Sequence, residues 1–250
     1  MSDLASRVRR AVRHFWVTRE SQATSQGVKT GVKDTGTRGA VTGGRQLDGF
    51  VQLGRHLLIE SGLPEASVYW QKKLELPGYF RPEKRWDLLS VVDNELIAVA
   101  EFKSQVGSFG NNCNNRAEES VGSATDLWAA YREGAFKPSQ RPWLGYLMLL
   151  EDAPGSTRPV TLKEPHFKAF EEFRDASYAM RYELLMLRLL RERLYDGTCL
   201  ILASRTGGPK GQYTEPCEEL TFEKFASSFM AHAMGYTKAR GLRSRKGAGA

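Results

Sequence analysis

Two apolar runs, Trp86–Val92 and Leu96–Lys103, flank the short polar step Asp93-Asn94-Glu95. Both runs are rich in Leu and Val and are bounded by turn residues, so they read as the two strands of a β-hairpin. A three-residue turn at 93–95 sets Asp87 directly opposite Glu101; a two-residue turn would slip the pairing by one. Side chains alternate faces along a strand, so Lys103 shares the face of Glu101 while Phe102 points the other way. Two carboxylates and an ammonium then converge at one end of a hairpin.

That convergence has a chemical reading. Carboxylates at the end of apolar strands repel unless a cation neutralises them. Hard oxygen ligands suit Mg²⁺, which keeps several waters and completes its shell from substrate phosphate. Such an ion polarises a scissile phosphate and lowers the pKa of an attacking water. Lys103 can hold that water or offset the charge of a pentavalent phosphorane. The candidate catalytic residues are therefore Asp87, Glu101 and Lys103, with Asp87, Glu101 and the Phe102 carbonyl as metal ligands. Glu101-Phe102-Lys103 is the one E-x-K triplet of the chain, and both acids end runs that read as buried. A buried structural salt bridge is the rival reading.

The remaining elements surround this hairpin. Residues 4–20 predict a helix with Leu4, Val8, Ala11, Val12 and Phe15 on one stripe. A glycine-rich loop follows at about 26–49, and it contains no phosphate-gripping G-x-x-x-x-G-K-[ST] motif. Helices are predicted at 48–60, 115–132, 177–195 and 221–235. Further strands are predicted at 67–76, 143–150 and 199–203. This succession lacks a strict βαβ rhythm and points to an α/β fold with a central mixed β-sheet flanked by helices, in one domain over 1–250.

Charge is unevenly placed. The net +7 comes from 36 basic and 29 acidic residues. The tail at about 237–250 holds Lys238, Arg240, Arg243, Arg245 and Lys246 and no acid, and residues 1–13 hold four arginines against Asp3. Basic arms on a near-neutral body suit a polyanion, through counterion release. Three cysteines without C-x-x-C spacing argue against a zinc finger or disulfide framework and fit a reducing cytosol. No apolar run approaches a membrane span and no secretion signal is read, so a bacterial cytoplasmic location is expected.

A second signal is Ser108–Glu119, SFGNNCNNRAEE. Asparagine makes bidentate contacts to adenine and arginine to guanine, which makes Asn111, Asn112, Asn114, Asn115 and Arg116 candidate DNA contacts. The bland alternative is a polar turn with Asn114 or Asn115 capping a helix. Arg45, Lys84 and Arg85 are candidate phosphate contacts, and Asp48 a helix cap. Glu60, Glu118 or Glu119 could add a carboxylate at the metal, with solvated roles as the default. His166 reads as packing.

The segments GGRQLDGF (43–50), LPGYFRPEKRWDLL (76–89), AEFKSQVGSFGNNCNNRAEE (100–119), PWLGYLMLLED (142–152) and PHFKAFEEFRDASYAMRYE (165–183) together resemble the XhoI-like family of type II restriction endonucleases. The first forty residues and those after about 195 are less similar. The resemblance implies a restriction-endonuclease-like PD-(D/E)-x-K core and Mg²⁺-dependent cleavage of both strands of a palindrome, CTCGAG, after the first C, with 5′-phosphate ends. It puts the motif's functional positions on Asp87, Glu101 and Lys103. Trp86 stands where the motif usually has proline, a position that shapes the turn and binds no metal. Double-stranded DNA as substrate, a homodimer matching the palindrome's two-fold axis, and a methyltransferase that protects host DNA without physical contact are implied as partners. A structure-directed repair or recombination nuclease and a non-catalytic DNA-binding module are the competing readings.

Overall fold

The computed structural model describes residues 2–30 and 45–242. Its strands are β1 (Val68–Tyr69), β2 (Glu75–Pro77), β3 (Glu83–Arg85), β4 (Leu88–Val92), β5 (Glu95–Gln105), β6 (Trp143–Glu151) and β7 (Gly197–Ala203). Its helices are α1 (Ser2–Thr30), α2 (Asp48–Glu60), α3 (Phe109–Arg132), the single turn α4 (Pro154–Thr157), α5 (Tyr178–Arg191) and α6 (Phe222–Ala239).

The five-stranded sheet has the order β1-β4-β5-β6-β7, antiparallel as far as β5 and parallel from β5 to β7. β2 and β3 form a separate antiparallel ribbon. Along β6, Leu147 and Leu149 face one core while Tyr146, Met148 and Leu150 face another. The first core packs the sheet against α1, α2 and α6, through Phe15, Trp16, Phe50, Leu57, Phe225 and Phe229. The second packs it against α3 and α5, through Leu127, Trp128, Tyr182 and Met186. Strands buried on both faces need no polar alternation, which is why β6 and β7 read as unbroken apolar runs.

The β4–β5 hairpin reaches the expected opposition by a different route. The turn is two residues, with φ of 50° at Asp93 and 64° at Asn94, and Val92 pairs with Glu95. Positive φ at both central positions is the backbone of a type I′ turn, whose twist matches that of the flanking strands. Alone, this turn would offset the pairing by one residue. A β-bulge leaves Ile97 as an extra residue between the Val91–Leu96 and Ser90–Ala98 pairs. The register then runs Leu89–Val99 and Leu88–Ala100, and its next step sets Asp87 across from Glu101. Leu88, Ala100 and Phe102 enter the α2 core, and Leu89 and Val99 the α3 core. Gly54 of α2 lies over Leu88 and Phe102; a Cβ there would stand 2.9 Å from Leu88.

Helix bounds depart from expectation at four helices: α5 ends at Arg191, four residues early, α6 runs four residues on to Ala239, and α1 and α3 differ more. α1 extends to Thr30, through a polar stretch that carries no apolar period. α3 begins at Phe109, six residues before the expected start. Its N-cap, Ser108, is left-handed with no side-chain cap, so no asparagine caps this helix. Of the expected 26–49 loop, residues 26–30 close α1 and 45–49 are helical, while 31–44 lie outside the described residues. Of the basic tail, Thr237–Ala239 end α6 and Arg240 pairs with Glu95; 243–250 lie outside the described residues. His166 is exposed rather than packed.

The turn is the element to test. Asn94→Val forces a β-branched residue into a left-handed backbone and should cost about 1–3 kcal/mol, whereas Asn94→Gly should leave stability unchanged or raise it. Urea midpoints of the two variants check this.

Candidate active site

Asp87 stands one residue before β4, and its Oδ2 accepts a 2.8 Å hydrogen bond from the Phe102 N–H of β5. Glu101 is 5% exposed. A carboxylate that deep needs compensation, and two ammonium groups supply it. Lys103 Nζ lies 2.5 Å from Oε1, and Lys84 Nζ lies 3.0 Å from Oε1 and 2.9 Å from Oε2. Lys84 reaches in from β3 and also sits 4.3 Å over the Trp86 ring, a cation–π contact. Trp86 thus carries a Lys84 platform at the position where the motif usually has proline.

The electrostatics follow from burial and charge. Burial raises the Asp87 carboxyl above the ordinary 3.8, the Glu101 charge raises it further, and Lys103, the Phe102 N–H and Lys84 only partly offset this. Burial would also raise Glu101, but Lys103 and Lys84 outweigh it and hold that carboxyl below 4.5. Burial lowers Lys103, yet Glu101 and Asp87 carry it above 10.5. Glu101 Oε2 is sealed from solvent, and the Lys84 ammonium 2.9 Å away is its ion-pair partner. The Tyr146 hydroxyl, on the residue paired with Glu101 across β5–β6, is buried without a hydrogen-bond partner.

Asp87, Phe102 and Lys103 open on a cleft of about 750 Å³. Glu101 lies in the adjoining hollow with Lys84, and Lys103 and Arg116 border both spaces. Among the described residues, no three His, Cys, Asp or Glu side chains cluster as a ready-made metal cage. Two carboxylates, one on the cleft and one in the adjoining hollow, suit instead a hard cation that completes its shell with carbonyl, water and phosphate oxygens.

The chain is similar to known proteins over most of its length. The family profile described as Restriction endonuclease XhoI matches residues 26–215. The chain belongs to this family. It is 53% identical over 206 residues to the type II restriction enzyme BstVI of Geobacillus stearothermophilus, covering 80% of this chain and 92% of that protein. It is 46% identical over 170 residues to AbrI of Azospirillum brasilense, covering 67% and 76%, and 43% identical over 185 residues to XhoI of Xanthomonas vasicola, covering 73% of each. No solved structure matches significantly. As a member of this family the protein is a type II restriction endonuclease, a site-specific deoxyribonuclease, and enzymes of this type generally use divalent metal ions.

The other candidate residues of this restriction endonuclease divide between the cleft and positions outside it. Arg45, Arg85, Asn112 and Arg116 line the same cleft as Asp87. Lys84, expected at the DNA backbone, is spent on Glu101. Arg85 pairs with Glu75 and donates to the Gln71 carbonyl, while remaining half-exposed. Arg116 pairs with Glu119, and Asn112 donates back to the Ser108 carbonyl. Asn111, Asn114, Asn115 and Glu118 are exposed on successive turns of α3 at i, i+3, i+4 and i+7, which is one face. Glu60 pairs with Arg7. Among the described residues, no helix is long and apolar enough to cross a membrane.

Sequence reasoning missed three residues. Asp48 was expected to cap α2; it instead lines the cleft, where burial raises its carboxyl against His14 and Arg45. Arg19 lines the cleft from α1. Asp126, in mid-α3, accepts the Tyr79 N–H at 2.8 Å, the Phe80 N–H at 2.7 Å and Arg81 Nε at 2.6 Å. It pins the ribbon that carries Lys84. No local pattern marks these three, because each acts across a large sequence separation.

Asp126→Ala should destabilise the protein by about 2–3 kcal/mol at neutral pH, as buried charge-assisted bonds are lost. Burial raises the Asp126 carboxyl, but the Phe80, Arg81 and Tyr79 donors hold it below 3.8. Its contribution is therefore complete above 3.8 and lost as pH falls through the lower folded value. The gap in urea midpoint between the two proteins should close only in that acid range.

Proposed function

We propose that this endonuclease cuts both strands of CTCGAG after the first C with Mg²⁺ as its ion, leaving 5′-phosphate ends. The observation that supports this best is the bulged hairpin register that gathers Asp87, Glu101 and Lys103. The motif resemblance and the 43% identity to an enzyme named XhoI support the recognition sequence.

Asp87, Glu101 and the Phe102 carbonyl are the groups that would hold the ion. When bound, Mg²⁺ supplies Lewis-acid polarisation of the scissile phosphate and acidifies a water. The chain's own groups do the rest. Lys103, held protonated by its acidic neighbours, donates hydrogen bonds; it orients the attacking water and offsets charge growing on the phosphoryl oxygens. Lys84 keeps Glu101 ionised while Lys103 turns to the substrate. The Phe102 N–H fixes one Asp87 oxygen and leaves the other for the ion.

The exposed face of α3 carries base recognition in this reading. Asn111, Asn114 and Asn115 project from its first two turns, and a helix N-terminus entering the major groove places such residues at base edges. Asn112, Arg116, Arg45 and Arg85 line the cleft walls for the backbone. The enzyme works as one domain and as a homodimer whose two-fold axis matches the palindrome. It acts in the bacterial cytoplasm beside a methyltransferase that protects host sites without touching it.

Digestion of unmethylated plasmid with Mg²⁺ should give discrete fragments ending at CTCGAG; branch-dependent nicking would replace this reading with a repair nuclease. Asp87→Ala and Lys103→Ala should abolish cleavage while leaving binding of the site duplex in Ca²⁺ largely intact, and normal cutting by either removes the assignment. Asn114→Ala and Asn115→Ala should each weaken site binding by about 1–3 kcal/mol with little effect on random duplex. Equal loss on both duplexes would make this face a backbone contact.

A further inference from the structure

Arg19 is 8% exposed and lines the cleft shared by Asp87, Phe102 and Lys103, yet among the described residues it makes no hydrogen bond or ion pair. Its electrostatic neighbours are Arg205 and Glu151. Glu151 is already engaged, since it accepts the Gly107 N–H at 2.8 Å and binds Arg205 Nε. Arg19 is therefore a buried cation without an anion of its own. Burying an unpaired charge is costly, and a bound anion would relieve that cost.

The position of Arg19 is fixed by packing. Val12, Phe15 and Trp16 lie one and two turns back on the same helix face and are almost wholly buried. Trp16 lies so close over Gly208 that a Cβ there would stand 1.9 Å from the indole. Gly211, at φ +78°, abuts the Arg9 carbonyl of the same helix. α1 is thus clamped to the segment after β7 at Arg9 and at Trp16, and Arg19 follows Trp16 by one turn. The family match begins at residue 26, so Arg19 lies ahead of it on a helix whose last turn runs into it.

We propose that Arg19 binds a backbone phosphate of the DNA strand seated in the cleft, making α1 a clamp on the bound duplex. A planar guanidinium with several free donors matches the oxygens of a phosphodiester. The inference rests on the reading of the cleft as the DNA seat and concerns binding, not the reacting atoms.

Fluorescence anisotropy on a site duplex and a random duplex, without divalent metal, tests it with Arg19→Gln and Arg19→Lys. Arg19→Gln should weaken both duplexes by roughly tenfold, the worth of a charged hydrogen bond, and lower the slope of log K against log salt by about 0.9. Arg19→Lys should keep that slope. Without DNA, Arg19→Gln should melt no lower than the unaltered protein, because it removes an uncompensated buried charge. Unchanged binding and slope, a loss confined to the site duplex, or a lower melting temperature in free Arg19→Gln would each overturn the phosphate role. A protein that binds duplex through Arg19 but cuts nothing with Mg²⁺ would instead remove the cleavage reading and leave this one standing.

Discussion

Side chains alternate along a strand, so the pairing of β4 with β5 decides whether the site exists. A slip of one residue would carry the Glu101 and Lys103 face away from Asp87. The two-residue turn at Asp93-Asn94 imposes such an offset, and the bulge at Ile97 cancels it. β-bulges also raise local twist and re-aim side chains, and they gather near functional sites for that reason. The rest of the fold holds this register in place. The two cores take Leu88, Ala100 and Phe102 on one face and Leu89 and Val99 on the other, so any alternative pairing would expose one set.

The charge balance is the second condition. Glu101 is buried together with two lysines from different strands, one its neighbour on β5 and one from the β2–β3 ribbon. The ribbon is itself anchored to α3 through Asp126. α3 then presents an exposed polar face on one side and Arg116 to the cleft on the other. A single helix thus connects the acid cluster, the ribbon that supplies Lys84 and the face assigned to the bases.

The sequence made β4 to β7 legible because these strands are largely buried and read as apolar runs, whereas the strand expected at 67–76 is only the two residues of β1 and, in a separate ribbon, the start of β2. α2 was legible from its apolar stripe and from Ser61-Gly62 before Pro64. α3 was only partly so. Four asparagines near its start imitate a turn, and the left-handed Ser108 gives no capping signal. The second half of α1 has no apolar face to betray it. At the site, Asp87, Glu101 and Lys103 were recognisable because an E-x-K triplet ended an apolar strand. Their opposition was inferred from a turn one residue too long, and the bulge supplied the missing residue. Lys84, Asp126 and Arg19 were not legible as partners, since what each does depends on elements folded in from elsewhere.

The central claim is that one ion can be shared by Asp87 and Glu101 beside Lys103. Anomalous diffraction from Mn²⁺ in crystals of the enzyme with its duplex measures this directly. The account predicts a peak touching both carboxylates, with Lys103 on the same side of the sheet. A peak bound by one carboxylate alone, or the two acids on opposite faces, would contradict it.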